Sequence, residues 1–155
     1  MTADQLSEDI HYWSKITKTP TPAKLCGRKL LARSVSDIAA MGGRPRYALA
    51  TISIGPGYDR EWLEQFMEGM LTLARELDIS IIGGDLAAAK ANVASLTMLG
   101  WVSRENLCLR KQALANDRIF VTGQFGASLP SKKHLSFKPR LAEAQWLREM
   151  ATPAQ

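Results

Sequence analysis

Three aspartates in this 155-residue chain stand where a solvated-surface explanation is weakest, and together they offer oxygen ligands for a hard cation. Asp85 follows an apolar run at residues 79–82 and the pair Gly83-Gly84. A carboxylate at the mouth of a buried strand, beside glycines that permit close backbone approach, has the geometry a phosphate-bound Mg²⁺ needs. The same triplet also reads as a plain turn. Asp37 lies in Ser34-Val35-Ser36-Asp37-Ile38-Ala39-Ala40-Met41-Gly42. Its plain reading is an i,i+4 ion pair with Arg33, in the weaker base-first order and worth about 0.2–0.5 kcal/mol. Asp4, in Thr2-Ala3-Asp4, says nothing alone. Mg²⁺ ions that bridge a nucleotide's phosphates take oxygens from several elements, and three separated aspartates can supply them.

Other chemistries fit less well. His11 and His134 are the only histidines, and only Glu8 stands at ligand spacing from either, so no transition-metal site is expected. The patterns GxSxG, GxxxxGKS/T and GxGxxG are absent. Gly123-Gln124-Phe125-Gly126 can cradle phosphate with backbone N–H groups, although glycine turns after strands are common. Trp13, Trp62, Trp101 and Trp146 read as core or interface anchors, since no aromatics interleave with basic residues as in single-strand binders.

These residues need elements to position them. Residues 2–13 read as a strand end followed by a loop, and Thr17-Lys18-Thr19-Pro20-Thr21-Pro22 is a breaker. Residues 23–41 form a helix with Leu31, Val35, Ile38 and Ala39 on one stripe, stopped by Gly42-Gly43. A strand at 46–54 and a turn at Gly55-Pro56-Gly57 follow. Asp59 caps a second helix in which Trp62, Phe66, Met70, Leu73, Ala74 and Leu77 recur at helical spacing. Residues 79–82 form a short buried strand, and 93–102 a strand expected to pair with it antiparallel. A last strand at 118–122 and a closing helix at 141–150 complete the pattern. The class is α+β, a mixed β-sheet with helices packed on one face.

Hydrophobic residues make up 46% of the chain and charged ones 23%, which suits one domain with a core and excludes a disordered or collagenous chain. No apolar run reaches membrane-spanning length, and the first residues carry no secretory leader. Cys26 and Cys108 are far apart, which fits a reducing, cytoplasmic setting better than a disulfide scaffold. The net charge of +5 is confined to residues 101–155, densest from Lys132 to Arg140. Such a stretch reads as a solvated face before it reads as a nucleic-acid surface; neither nucleic acid nor membrane is an expected partner.

The helix segment Ser34 to Pro45, then Ile81-Ile82-Gly83-Gly84-Asp85, then Phe120-Val121-Thr122-Gly123 closely resemble thiamine-monophosphate kinase. Thr2-Ala3-Asp4-Gln5-Leu6 with His11-Tyr12, Leu109-Arg110, and His134-Leu135 through Pro139-Arg140 are similar to further segments of that family, in its order. The wider superfamily includes aminoimidazole-ribotide synthetase and selenophosphate synthetase, all users of ATP.

The resemblance implies an amino-terminal domain like that of aminoimidazole-ribotide synthetase, whose sheet joins a second subunit's to close a barrel as a homodimer. It implies ATP- and Mg²⁺-dependent phosphorylation of thiamine monophosphate to thiamine diphosphate. Position by position, Asp4, Asp37, Asp85 and Thr2 become metal-site residues, Gly84, Asp85 and Arg110 contact ATP, and His11 contacts the thiamine phosphate. No catalytic general base is expected, because the acceptor is already an anionic phosphate. On this likeness residues 1–126 are an ATP-binding domain trimmed at its start, and 127–155 are a basic tail and helix, a remnant of the start of an absent carboxyl-terminal domain, so that the chain alone is expected to be an incomplete kinase.

The chain departs from the family pattern in several places. An upstream Gly-Asp-Asp segment is missing, Ala127 stands for an aspartate, Leu86-Ala87-Ala88 for Thr-Thr-Arg, Ser34 for an asparagine and Met67 for a tyrosine. These departures motivate the alternative of a non-catalytic module that dimerises and binds nucleotide.

Overall fold

The computed structural model describes residues 1–12 and 19–151. Four strands form one sheet, β1 (Thr2–Ser7), β2 (Arg44–Ile54), β3 (Ser80–Ala88) and β4 (Val93–Trp101), in the order β1-β4-β2-β3. β4 runs antiparallel to both β1 and β2, while β2 and β3 are parallel. The sheet is therefore mixed, as expected. The expected hairpin of β3 with β4 does not form, because β2 lies between them and pairs with each. A short turn shows that the chain reverses, but not which strand receives it.

Helices α1 (Ala23–Ala40) and α2 (Arg60–Glu76) cover one face of the sheet. Ala48, Ala50 and Ile52 of β2 and Ala94, Leu96 and Met98 of β4 point into this layer and are buried. The alternate residues Tyr47, Leu49 and Thr51 lie on the open face. α1 meets α2 through two glycines at a close backbone approach. A Cβ on Gly27 would lie 1.9 Å from the Phe66 carbonyl oxygen, and one on Gly69 1.9 Å from that of Lys24. Leu30, Leu31, Val35, Phe66 and Met70 fill the layer around this crossing.

The helix ends follow their local chemistry. The Asp59 carboxylate accepts the Trp62 N–H at 2.9 Å and caps α2. At the end of α1, Gly42 takes φ +72°, and the Gly42 and Gly43 amides donate to the Ala39 and Ile38 carbonyls.

Two strand expectations fail on burial. β3 is an edge strand, and Ile82, placed at a register shift opposite Ala48 and Leu49, is 56% exposed rather than buried. Residues 118–122 form no strand; Ile119 and Phe120 are 91% and 86% exposed. Their β-branched and aromatic content has no neighbouring strand to pair with among the described residues. The remaining helices are short α3 (Lys133–Ser136) and α4 (Leu141–Ala151), both against α1. Trp62 stacks on Phe66 with centroids 5.3 Å apart, as a core anchor should, whereas Trp101 and Trp146 are exposed and Trp13 lies outside the described residues.

Candidate functional site

The antiparallel register sets Thr2, Asp4 and Leu6 of β1 on the sheet face covered by α1. Leu6 is fully buried there, and its two polar neighbours meet side chains of the second half of α1. The Thr2 hydroxyl donates to Asp37 Oδ2 at 2.7 Å. Ser34, one helical turn before Asp37 and fully buried, donates to Asp4 Oδ2 at 3.2 Å. Arg33 closes the other side, its Nη2 3.1 Å from Asp4 Oδ1 and its Nη1 donating to the Gln5 carbonyl. The described partner of Arg33 is thus Asp4, on another element, and not Asp37, four residues along the same helix.

These side chains suit a hard divalent cation of Mg²⁺ type. They offer two carboxylates and a hydroxyl on rigid elements, with Asp37 open to solvent, and Mg²⁺ keeps several waters while taking one or two carboxylates and phosphate oxygens. Asp4 is held by fixed donors and only 12% of its side chain is exposed.

Asp85 does not join them. Asp4 is in register with Leu96, Leu96 with Ala50, and Ala50 with Gly84, so β1 and β3 are opposite edges about 14 Å apart by strand spacing. Asp85 is in register with Thr51, on the open face. Among the described residues no three His, Cys, Asp or Glu side chains gather as a metal-holding group. The expectation that all three aspartates gather in one pocket of one chain is therefore corrected: Asp4 and Asp37 lie where β1 meets α1, and Asp85 stands across the sheet.

Gly84 and Asp85 have a setting of their own. A cleft of about 420 Å³ opens between the β3 edge and α2, lined by Ala50, Ile52, Leu63, Met67, Gly84 and Asp85 among others. Gly84 is required by close approach, since a Cβ there would lie 1.7 Å from the Ala50 carbonyl oxygen. His11 Nδ1 accepts the Ser7 N–H at 3.0 Å, which leaves Nε2 as the proton-bearing nitrogen. Burial, with Arg33 and Lys29 nearby, holds its pKa below the ordinary 6.5. Arg110 begins a short 3₁₀ turn, Arg110–Gln112, and its side chain lies outside the described residues.

Sequence reasoning missed Arg33 and Ser34 as partners of Asp4, and Lys29 as a buried amine. A single signal was present for all three: they lie within six residues on the helix that carries Asp37.

The family described as "AIR synthase related protein, N-terminal domain" matches residues 1–102. Thiamine-monophosphate kinase from Bacillus subtilis is 35% identical over 126 residues, 81% of this chain and 38% of the relative. That from Synechococcus elongatus is 31% identical over 154 residues, 99% of this chain and 45% of the relative. The chain thus spans less than half the length of these two relatives. Among solved structures, AaThiL complexed with AMPPCP and TMP superposes with a TM-score of 0.81 over 96% of this chain and 52% of its own, at 20% identity, a likeness of fold. Thiamine-monophosphate kinase from Stenotrophomonas maltophilia gives 0.69 at 26% identity over the same shares. With two thirds of its length matched in sequence and nearly all of it in fold, this chain belongs to the AIR synthase related family and carries that family's amino-terminal domain.

Proposed function

We propose that the chain is the nucleotide- and metal-binding half of a thiamine-monophosphate kinase, acting in phosphoryl transfer from ATP to thiamine monophosphate. The observation that carries this reading is the set of contacts that brings Thr2, Asp4 and Asp37 together between β1 and α1, in a chain whose relatives are named for that reaction. Bound Mg²⁺ supplies charge neutralisation for the transferring phosphoryl group. Asp37 and Asp4 offer it carboxylate oxygens, and Thr2 and Ser34 fix their orientation by donating to them. Arg33 holds the Asp4 carboxylate in place. At the far edge Gly84 and Asp85 border the cleft and are assigned the nucleotide, Asp85 with an ion of its own; Arg110 is assigned the same ligand. His11 presents Nε2–H to the phosphate of thiamine monophosphate.

Residues 1–126 serve as the nucleotide-binding unit, and 127–155 open a second domain. Two copies pair through the open sheet face, where Tyr47 and Leu49 are 42% and 40% exposed. The same face favours a second reading, a dimerising module that binds nucleotide without turnover, in line with the apolar Leu86-Ala87-Ala88 after Asp85. No helix among the described residues is long and apolar enough to cross a membrane.

Incubation with ATP, Mg²⁺ and thiamine monophosphate tests the proposal. Thiamine diphosphate formed by the wild type and lost in Asp37→Asn and in Asp85→Ala is the expected result. Nucleotide binding without product selects the second reading, and neither binding nor product overturns both.

A further inference from the structure

The Lys29 ammonium lies inside the helix layer, only 8% exposed, and its two close partners among the described residues are both neutral acceptors. Nζ donates to the His11 carbonyl at 2.6 Å and meets His134 Nδ1 at 2.9 Å. A lysine ammonium only donates, so this contact requires Nδ1 to be unprotonated, with the ring proton on Nε2. The preceding residue, Arg28, donates to the Leu135 and Phe137 carbonyls at 3.2 and 2.8 Å. Two consecutive residues of α1 therefore hold the turn at 134–137, with Leu135 buried beneath it. The same lysine ties the His11 turn, more than 100 residues away in sequence, to that turn.

We propose that Lys29 and His134 form an acid-released latch: with His134 neutral the turn at 134–137 is docked on α1, and a proton on Nδ1 undocks it. This inference goes beyond the magnesium–phosphate reading and does not rest on it. A proton on Nδ1 removes the acceptor and sets a second positive charge against the ammonium. The surroundings hold no free carboxylate among the described residues to absorb that charge. On α1 the neighbours are Arg28, Arg33 and the Cys26 thiol, which burial pushes up to about 12 and so keeps neutral. From β1 and its turn come His11, Asp4 already engaged by Arg33 and Ser34, and Glu8, which accepts the Asn92 N–H at 2.8 Å. From the docked segment come Lys132, Lys133 donating to the Gln124 carbonyl, Lys138, and Arg140 paired with Glu143. On α2, Glu68 is paired with Lys24.

Burial first, and Lys29 second, hold the His134 pKa below 6.5. Protons therefore bind the undocked state better, docking is at full strength above about pH 6.5, and it weakens as the pH falls below that value. Each unit of depression corresponds to about a tenfold loss of docking.

Amide hydrogen exchange at pH 8 and pH 5, corrected for the intrinsic pH dependence of exchange, tests the latch on the full chain. The Leu135 and Phe137 amides donate within the docked turn to the Lys132 and Lys133 carbonyls. Their protection is expected to drop several-fold at pH 5 while Met70 and Leu73 of α2 keep theirs. His134→Gln, which offers an acceptor that does not titrate, is expected to abolish the pH response, His11→Gln to preserve it, and Lys29→Met to loosen the turn already at pH 8. Equal protection at both pH values, a response that persists in His134→Gln or vanishes in His11→Gln, or loss of α2 protection in step with the turn would overturn the proposal.

Discussion

Asp37 and Asp4 both lie where β1 meets α1 but differ in what the fold asks of them. Asp37 is exposed and receives a single described hydrogen bond, from Thr2, whereas Asp4 is held by Arg33 and Ser34. Asp37→Asn is therefore expected to change stability by less than about 0.5 kcal/mol, as surface changes do, while lowering Mg²⁺-dependent nucleotide affinity at least tenfold. Asp4→Asn leaves Arg33 and the buried Ser34 hydroxyl without their carboxylate and is expected to cost about 2 kcal/mol in urea denaturation, besides the loss of binding. Equal stability losses in the two variants would contradict this division. The sequence marks both aspartates as candidates but not their partners, because the Asp4–Arg33 contact bridges 29 positions and depends on how β1 lies along α1.

At the scale of elements, α1 and α2 were legible because their signals are local. The Asp59 cap, the Trp62–Phe66–Met70–Leu73 stripe and the Gly42-Gly43 stop each act within a turn or two of helix. Strand pairing is not local: nothing in residues 79–102 says that β2 will come between β3 and β4. The same ignorance hid the sides of the site, since alternation along β1 and β3 was readable but their positions as opposite edges were not. Residues 118–122 show the converse, a strand-like composition without a partner. The helix crossing carries a sharper prediction. Gly27→Ala places a methyl 1.9 Å from a backbone oxygen, and no side-chain rotation relieves that contact, so a loss of about 3 kcal/mol is expected by thermal or urea unfolding. Asp59→Ala removes the cap of α2 and is expected to cost about 1 kcal/mol.

For the whole molecule, the proposed function assigns association to the open sheet face and ligand binding to the side chains between β1 and α1. Leu49→Lys, on the open face, is expected to lower self-association in sedimentation without altering Mg²⁺ binding. Protons act on the other side of the sheet. His11 and His134 both have pKa values held below 6.5, chiefly by burial, so the unfolded chain binds protons more readily and the denaturation midpoint falls as the pH drops from 8 to 5. The proposed function requires a metal between β1 and α1. Paramagnetic broadening by Mn²⁺ in the presence of ATP, read on backbone amides, measures that placement directly. The amides of Ala3, Gln5, Asp37 and Ile38 should broaden at substoichiometric Mn²⁺, and Asp37→Asn should abolish the effect. Broadening confined to β3 around Asp85, or unchanged in Asp37→Asn, would contradict it.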